Sequence, residues 1–218
     1  MAAVPAETFP PTRAAWVDQQ LRRAILTGVL APGEKLHGER LAEQWGVSPT
    51  PLRESFQRLA GEGLVVIEPQ RGARVAPIDA AAAVDVYEIR ILLDPAALRS
   101  SMRAAAGDPS FAAEVAAAAD RLERRHASIL AFHDAHRQFH LALVTRCPNA
   151  LLRRQVAHLL DQSQRYHVIA ARAAGRDVRG EHRALATAVA SGDARSAVRL
   201  LTTHLVGSRD AIAAAQQR

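Results

Sequence analysis

The stretch at 39–63, "ERLAEQWGVSPTPLRESFQRLAGEG", decides the fold of the first third of the chain. Its apolar residues recur at helical spacing on both sides of a single glycine, and Leu52, Phe56 and Leu59 form one stripe in the second half. Ser48 stands where an N-cap residue is favoured, and the prolines that follow it occupy a first helical turn, where proline is tolerated. Two helices joined by a glycine turn predict a helix-turn-helix motif.

The segments on either side of this stretch predict a winged helix. Upstream, apolar residues at helical spacing predict a helix that starts near Arg13 and is stopped by Gly28 and the "APG" at 31–33. Downstream, "LVVIE" at 64–68 and "ARVAP" at 73–77 are short and rich in β-branched residues, and the turn residues "PQRG" separate them. We therefore expect three helices followed by a two-stranded wing.

The exposed face of the second helix of the motif carries side chains that suit a nucleic-acid contact. Such side chains reach phosphates and base edges when the helix enters a major groove. Arginines are equally common on any solvated helix, so this pattern alone leaves both interpretations open. The candidate residues are Thr50, Arg53, Gln57 and Arg58 on this helix, Arg40 on the preceding one, and Arg71 at the wing tip.

The whole segment 21–75 resembles the winged helix-turn-helix of the GntR family, including its "G-x-L-x-P-G" stop and the "V-S-x-T-P-L-R-E" start of the recognition helix. The resemblance implies double-stranded operator DNA as a partner. Pro49 stands where many members carry an arginine that reads a guanine, so the operator cannot be inferred from relatives. The positions that the resemblance places at the DNA are Arg40, Ser48, Thr50 and Arg53, with Arg71 and Gly72 at the wing tip.

The rest of the chain shows only helical patterns, interrupted by helix breakers such as Gly107 and Pro148. We expect a mainly α protein in which an all-helical bundle of about six helices follows the winged helix. The predicted helices span roughly 79–106, 110–127, 129–146, 150–173, 178–190 and 193–215. The predicted domains are an N-terminal extension over 1–11, the DNA-binding domain over 12–76, a linker at 77–78 and the helical effector-binding and dimerisation domain over 79–215.

Composition excludes several classes of protein. With 49% hydrophobic and 23% charged residues, the chain is globular rather than disordered. No segment is apolar for long enough to predict a signal peptide or a membrane span. Cys147 is the single cysteine, so no internal disulfide can form and the cytoplasm is the expected compartment. The net charge of +6 is not concentrated in the DNA-binding segment, which holds nine basic and eight acidic residues up to Ala76.

Four histidines are spaced so that they could converge on a metal. His136 and His140 lie one turn apart on one helix face. His182 and His204 lie on either side of the turn at 191–193, at roughly 13 Å and 16 Å from it along two antiparallel helices. Four imidazoles suit a divalent transition metal. Taken alone, the first pair is more often ordinary helix surface or core.

Three segments resemble the FCD effector domain of FadR-type GntR regulators: "VYEIRILLDPAAL", "HRQFHLALVTRCPNALL" and "EHRALATAVASGDARSAVRLLTTHL". Many such domains bind a metal through one Asp and three His. The resemblance places the three His at His140, His182 and His204, whereas His136 occupies the Asp position. Zinc is the expected metal, with nickel or another metal as an alternative. The remaining histidines, including His133, have no such match and are assigned no role.

Arg90 is a charged residue within a largely apolar helix, and such a residue is seldom buried without a partner. A salt bridge to Asp94, one turn further on, is one explanation. The other is that Arg90 binds the carboxylate of an effector, because its planar guanidinium suits that group. The FCD resemblance implies small organic acids as effectors and agrees with the second explanation.

Three functions follow from these observations. The first is a homodimeric transcription regulator, which we expect to be a repressor. Its helical domain would bind a small carboxylate together with a metal and so alter the spacing of the two DNA-binding domains. The second is a DNA-binding protein whose helical domain only dimerises. The third is a metal hydrolase, which is disfavoured because Arg137 stands where a zinc protease helix carries its general-base Glu. We predict that the protein is not an enzyme.

Overall fold

The computed structural model describes residues 12–26, 28–164, 166 and 177–215. The chain divides into two compact units, Met1–Ile78 and Asp79–Arg218. Each unit has its own cluster of buried apolar residues. Among the described helices, none combines the length and the apolar character needed to cross a bilayer.

The first unit is a winged helix with three short strands. Its elements are α1 (Arg13–Leu26), β1 (Lys35–Leu36), α2 (Gly38–Trp45), α3 (Pro49–Gly61), β2 (Val65–Glu68) and β3 (Gly72–Val75). The antiparallel sheet has the order β1-β3-β2. The predicted mainly helical fold is confirmed, but β1 was not predicted, because two residues are too few to show an alternating pattern.

Helix α1 packs on α3 and forms the centre of this unit. Val17 and Leu21 of α1 and Leu52 and Leu59 of α3 are fully buried. Their spacing of four residues in α1 and seven in α3 gives each helix one apolar face. Gly46 ends α2 with a left-handed backbone (φ 64°), which glycine adopts without steric cost. Helix α3 is thus packed through its apolar face against α1.

The second unit is entirely helical in its described part. Its helices are α4 (Ala80–Ala104), α5 (Pro109–Glu123), α6 (Ile129–Ala142), α7 (Ala150–Gln164), α8 (Val178–Ala190) and α9 (Ala194–Ala215). Helix α5 stops earlier than predicted, because Arg124 has an extended backbone. The predicted helix 150–173 is described only to Gln164, and its remaining residues, including His167, lie outside the described residues apart from Tyr166.

Side-chain caps set the starts of all six described helices in this unit. In each case an aspartate, asparagine or serine oxygen accepts a hydrogen bond from a backbone N–H of the first turn, which would otherwise lack a partner. The capping residues are Asp79, Asp108, Ser128, Asn149, Asp177 and Asp193. Helix α4 packs against both α7 and α9, and α8 and α9 form an antiparallel hairpin around the turn at 191–193. This arrangement brings α4, α6, α8 and α9 around one interior.

Candidate metal centre and DNA-binding face

Four histidine side chains meet in the interior of the helical unit. His136 and His140 come from α6, His182 from α8 and His204 from α9. All four are buried, with at most 5% of their surface exposed. Each offers one ring nitrogen to a group whose members all lie within 4.8 Å of one another. The structure thus brings together the four histidines that the sequence pattern singled out.

One pair of nitrogens has the spacing of a tetrahedral site. Nε2 of His140 lies 3.2 Å from Nε2 of His136, and the ligand atoms of the whole group lie within 4.8 Å of one another. Four nitrogens at about 2.0 to 2.1 Å from a zinc ion would lie about 3.4 Å apart. The donor set is neutral and consists only of nitrogen, which suits divalent zinc, nickel or copper better than calcium or magnesium.

The α8–α9 hairpin explains why two distant histidines meet. His182 lies nine residues before Ser191, and His204 lies eleven residues after Asp193. Because an α-helix rises 1.5 Å per residue, the two side chains end at similar heights on neighbouring helices. Their ring centroids are 4.6 Å apart. On α6, helical phase places His136 and His140 on the same face, with their centroids 4.5 Å apart.

Glu181 supplies a negative charge next to this neutral donor set. Nδ1 of His204 lies 2.8 Å from Oε2 of Glu181, in the geometry of an N–H that donates to the carboxylate. This contact orients the ring and leaves Nε2 of His204 as the nitrogen that could bind a metal. The sequence pattern did not reveal the role of Glu181, although this residue directly precedes His182 in the first turn of α8.

The other described histidines lie outside the cluster. His133 is buried, and burial lowers its pKa, but it does not belong to the group of four. His126 contacts the carbonyl of Leu122, and His158 contacts Gln162. Asp134, two residues before His136, is exposed.

Arg137 forms an ion pair with Asp161 of α7. Arg137 stands where a zinc protease would carry its general base. In this structure it is paired with a carboxylate on the neighbouring helix.

Arg90 is fully buried and forms a salt bridge with Asp94. This salt bridge was the first of the two explanations for a charged residue in this helix. Its Nη1 also donates to Oγ of Ser163 on α7, at 2.8 Å, and its guanidinium lies 5.4 Å from the centre of the Tyr87 ring. Burial raises the pKa of Asp94, whereas the charge and the hydrogen bonds of Arg90 act in the opposite direction.

The predicted DNA-contact residues all lie on the surface of the first unit. They are exposed on α2, at the start of α3, along α3 and at the wing tip. An open groove of about 760 Å³ runs between α2, α3 and the wing, and four of these residues line it: Arg40, Arg53, Gln57 and Gly72. Ser48, Thr50 and Arg71 are exposed but do not line the groove.

Ser48 is the N-cap residue of α3, but its side chain makes no capping hydrogen bond. The predicted N-cap position of Ser48 is therefore confirmed, but the capping hydrogen bond is absent. A capping side chain usually accepts from the N–H of the second or third helical residue, and here the third is Pro51, which has no N–H. Ser48 is exposed at the helix start.

Arg58 was grouped with the DNA-facing residues, but the structure shows a different role. Its Nε donates to Asp18 of α1 at 3.0 Å, and its Nη2 donates to Ser55. A second ion pair joins Arg22 of α1 to Glu62 at the end of α3. These contacts hold the recognition helix against α1. The periodicity of α3 showed that Arg58 is exposed but could not show its partner on another helix.

The wing is held by a comparable contact. Arg74 of β3 donates through Nε and Nη2 to both carboxylate oxygens of Glu68 on β2, and through Nη1 to the carbonyl of Gly33. At the wing tip, Gln70 has a left-handed backbone (φ 61°), which is uncommon for a residue other than glycine. The bidentate pair fixes the two strands on either side of this turn.

Known families and proteins resemble both units. Residues 13–75 match the family of bacterial regulatory proteins named gntR, and residues 85–207 match the FCD domain. The uncharacterised HTH-type transcriptional regulator BphR of Paraburkholderia xenovorans is 32% identical over 87% of this chain and 81% of its own length. The HTH-type transcriptional repressor GlaR of Escherichia coli is 29% identical over 85% of this chain and 89% of its own length.

Solved structures show the same fold. A GntR transcriptional regulator from Rhodococcus superimposes with a TM-score of 0.77 at 26% identity, covering 93% of this chain and 98% of its own. Escherichia coli McbR also reaches 0.77, at 21% identity, covering 95% of this chain and 99% of its own. Because McbR is only 21% identical to this chain, its likeness shows only that the fold is shared.

Proposed function

The chain belongs to the GntR family of DNA-binding transcription regulators and carries an FCD domain, and from this premise we propose that it is a cytoplasmic, homodimeric repressor that senses a small organic acid at a metal-containing site. The families and relatives are transcription regulators and not enzymes, in agreement with the prediction. Effector sensing, metal binding and dimerisation are parts of the proposal. The main observation in its support is the cluster of four buried histidines.

The histidine cluster supports metal binding by its chemistry. Four imidazoles rarely gather in a protein interior without a hydrogen-bonding or metal partner, because burying polar groups is costly. His136, His140, His182 and His204 would hold the ion, and Glu181 would orient His204. A bound divalent ion would supply a positive charge that attracts a carboxylate. Zinc is the proposed metal, and nickel is the alternative.

Arg90 supports the carboxylate part of the proposal. It is paired with Asp94 on α4, and α4 packs against α9, the helix that carries His204. A guanidinium has five N–H donors, and Asp94 and Ser163 accept from only three of them. The remaining donors would bind the effector carboxylate.

The exposed face of α4 supports a homodimer. Leu92 and Ile89 are 72% and 45% exposed, and they lie on the side of the helix away from the buried Arg90. A winged helix reads only a few base pairs, and two-fold symmetry is the usual way to lengthen the site. We propose that this apolar surface of α4 forms part of the interface between two helical units.

Replacing Leu92 with arginine is expected to turn the dimer into a monomer at micromolar concentration, because the change places a charge in an apolar interface. Light scattering of the purified full-length protein measures the mass. Val29→Arg is the matched control, since Val29 is 76% exposed in the other unit, and it should leave the mass unchanged. A Leu92→Arg protein that stays dimeric would exclude this surface as the interface.

Replacing Arg53 with alanine is expected to weaken specific DNA binding by about 1 to 3 kcal/mol without affecting folding. Arg53 is exposed on α3 and lines the groove between the helices and the wing. The measurement is a gel shift at fixed salt, with a duplex selected from a random library by the wild-type protein. Arg99→Ala removes the same charge from an exposed position of the helical unit and controls for net charge. Equal loss in both variants would remove Arg53 from base recognition.

Metal analysis distinguishes the proposal from a regulator whose helical unit only dimerises. A sensor purified without chelator should carry a stoichiometric metal, whereas a dimerisation domain should carry none. The result does not depend on knowing the effector or the operator.

A further inference from the structure

Exposed side chains form a row along α3, on the side of the groove between α2, α3 and the wing. Pro49, Arg53 and Gln57 are exposed, and all of them line that groove. A step of four residues turns an α-helix by about 40° and advances it by about 6 Å, so these side chains follow one another along one face. The row begins at the first residue of the helix. It presents an apolar ring, a cation and an amide to whatever enters the groove.

Pro49 is the apolar member of this row. It has no backbone N–H and no polar side-chain atom, so it cannot donate a hydrogen bond to a phosphate or to a base. Proline is favoured at the first position of a helix, because its φ angle is already helical. That preference explains the residue type but not the position of the ring, which lines the groove, whereas the exposed neighbours Ser48 and Thr50 do not.

An apolar surface has a specific counterpart in the major groove of DNA. The base edges there present hydrogen-bond donors and acceptors, together with the C5-methyl group of thymine. In a helix-turn-helix, the first residues of the recognition helix contact these base edges. An exposed apolar residue at the first position of α3 therefore suits a thymine methyl group better than a polar base edge.

We infer that Pro49 selects a thymine in the operator through contact with the C5-methyl group of that base. Arg53, one turn further on, suits the O6 and N7 atoms of guanine. The rise of about 6 Å between the two residues corresponds to about two base pairs at roughly 3.4 Å each, so the thymine lies close to the guanine. This inference rests on the proposal that α3 enters the major groove, and it involves neither the metal nor the effector.

A methyl contact can be separated from the other contributions to DNA binding. Pro49 has no charge, so replacing it with a neutral residue leaves the attraction to the phosphates unchanged. Uracil pairs with adenine as thymine does and lacks only the methyl group. The ratio of the affinities for a thymine duplex and its uracil counterpart therefore isolates this contact. Removing one apolar carbon from such a contact lowers the affinity about fourfold.

The first experiment measures this ratio with the full-length protein. The wild-type protein selects a duplex from a random library, and each thymine of that duplex is then replaced in turn with uracil. Gel shifts at fixed salt should show a loss of about three- to fivefold at a thymine within about two base pairs of the guanine to which Arg53→Ala becomes insensitive. Equal affinities for the parent and every uracil duplex would overturn the inference.

The second experiment assigns the methyl contact to one residue. In Pro49→Ser a polar hydroxyl replaces the apolar ring, and the loss caused by uracil should disappear. Thr50→Ser is the matched control, because it removes a neighbouring methyl group that does not line the groove. This control should keep the wild-type ratio. A Pro49→Ser protein with the same sensitivity to uracil as the wild type would exclude Pro49 as the contact.

A further variant changes the preference and does not depend on the stability of Pro49→Ser, whose folding a melting curve checks. Pro49→Arg should shift the preference at the sensitive position from thymine towards guanine by about 10- to 100-fold, as a bidentate contact predicts. A Pro49→Arg protein that still prefers thymine would contradict the inference. Wild-type affinity in Arg53→Ala would refute the placement of α3 in the groove, whereas a loss in Arg53→Ala without any effect of uracil would refute only the role of Pro49.

Discussion

Replacing His182 or His204 with alanine is expected to reduce the bound metal from one ion per protomer to a small residual fraction. Each histidine offers one of four nitrogens within 4.8 Å of one another, and all four side chains are buried. The loss follows from coordination chemistry, since a structural metal site is closed by four ligands. Elemental analysis of protein purified without chelator measures the metal directly.

His133→Ala is the control for this experiment, because His133 is a buried histidine of α6 outside the cluster. It should retain the metal even if it lowers the melting temperature. Glu181→Gln should give an intermediate result, a fall in metal affinity of about 10- to 100-fold, because the amide keeps the shape of the carboxylate but loses its charge. Equal metal content in His133→Ala and His182→Ala would contradict the assignment of the ligands.

Replacing Arg90 with methionine is expected to lower the free energy of unfolding by about 3 to 5 kcal/mol at neutral pH. The substitution keeps most of the side-chain volume but leaves the carboxylate of Asp94 buried without its cation. Both side chains of the pair are at most 3% exposed, so water cannot replace the lost interaction. Urea unfolding followed by circular dichroism, with the metal removed from all samples by chelator, measures the change.

The double variant Arg90→Met with Asp94→Leu tests whether the cost comes from the unpaired charge. Removing both charges should recover most of the lost stability, because a buried ion pair is often no more stabilising than an apolar pair of similar size. The single variant should still bind metal, since Arg90 does not belong to the histidine cluster, but it should lose its affinity for carboxylates. A single variant as stable as the wild type would show that the pair is not needed for folding.

Local sequence signals determined most of the fold. The apolar stripe of α3, the glycine after α2 and the β-branched strands of the wing predicted the winged helix, because helices and strands have different periods and each can be recognised within a few residues. Short elements were harder to predict. Strand β1 contains only Lys35 and Leu36, and its pairing with β3 is visible only in the folded chain.

The histidine cluster could be predicted because it follows from the same local geometry. One turn separates His136 from His140, and the distances of His182 and His204 from one turn fix their relative heights. Spacing alone could not predict that α6 lies against the α8–α9 hairpin, since no sequence rule places one helix against another. The resemblance to the FCD domain implied that His140 joins His182 and His204.

By itself, then, the sequence determined the element types, the recognition helix and the phase of the histidines, all of which depend on residues within a few positions of one another or on distances from one turn. Only the tertiary structure decided the partners of individual charges: Arg58 with Asp18, Arg90 with Ser163, and Glu181 with His204. These pairs are separated by 40, 73 and 23 residues along the chain. The physical reason is that helical periodicity shows which side chains share a face, whereas a contact between helices depends on how those faces pack together.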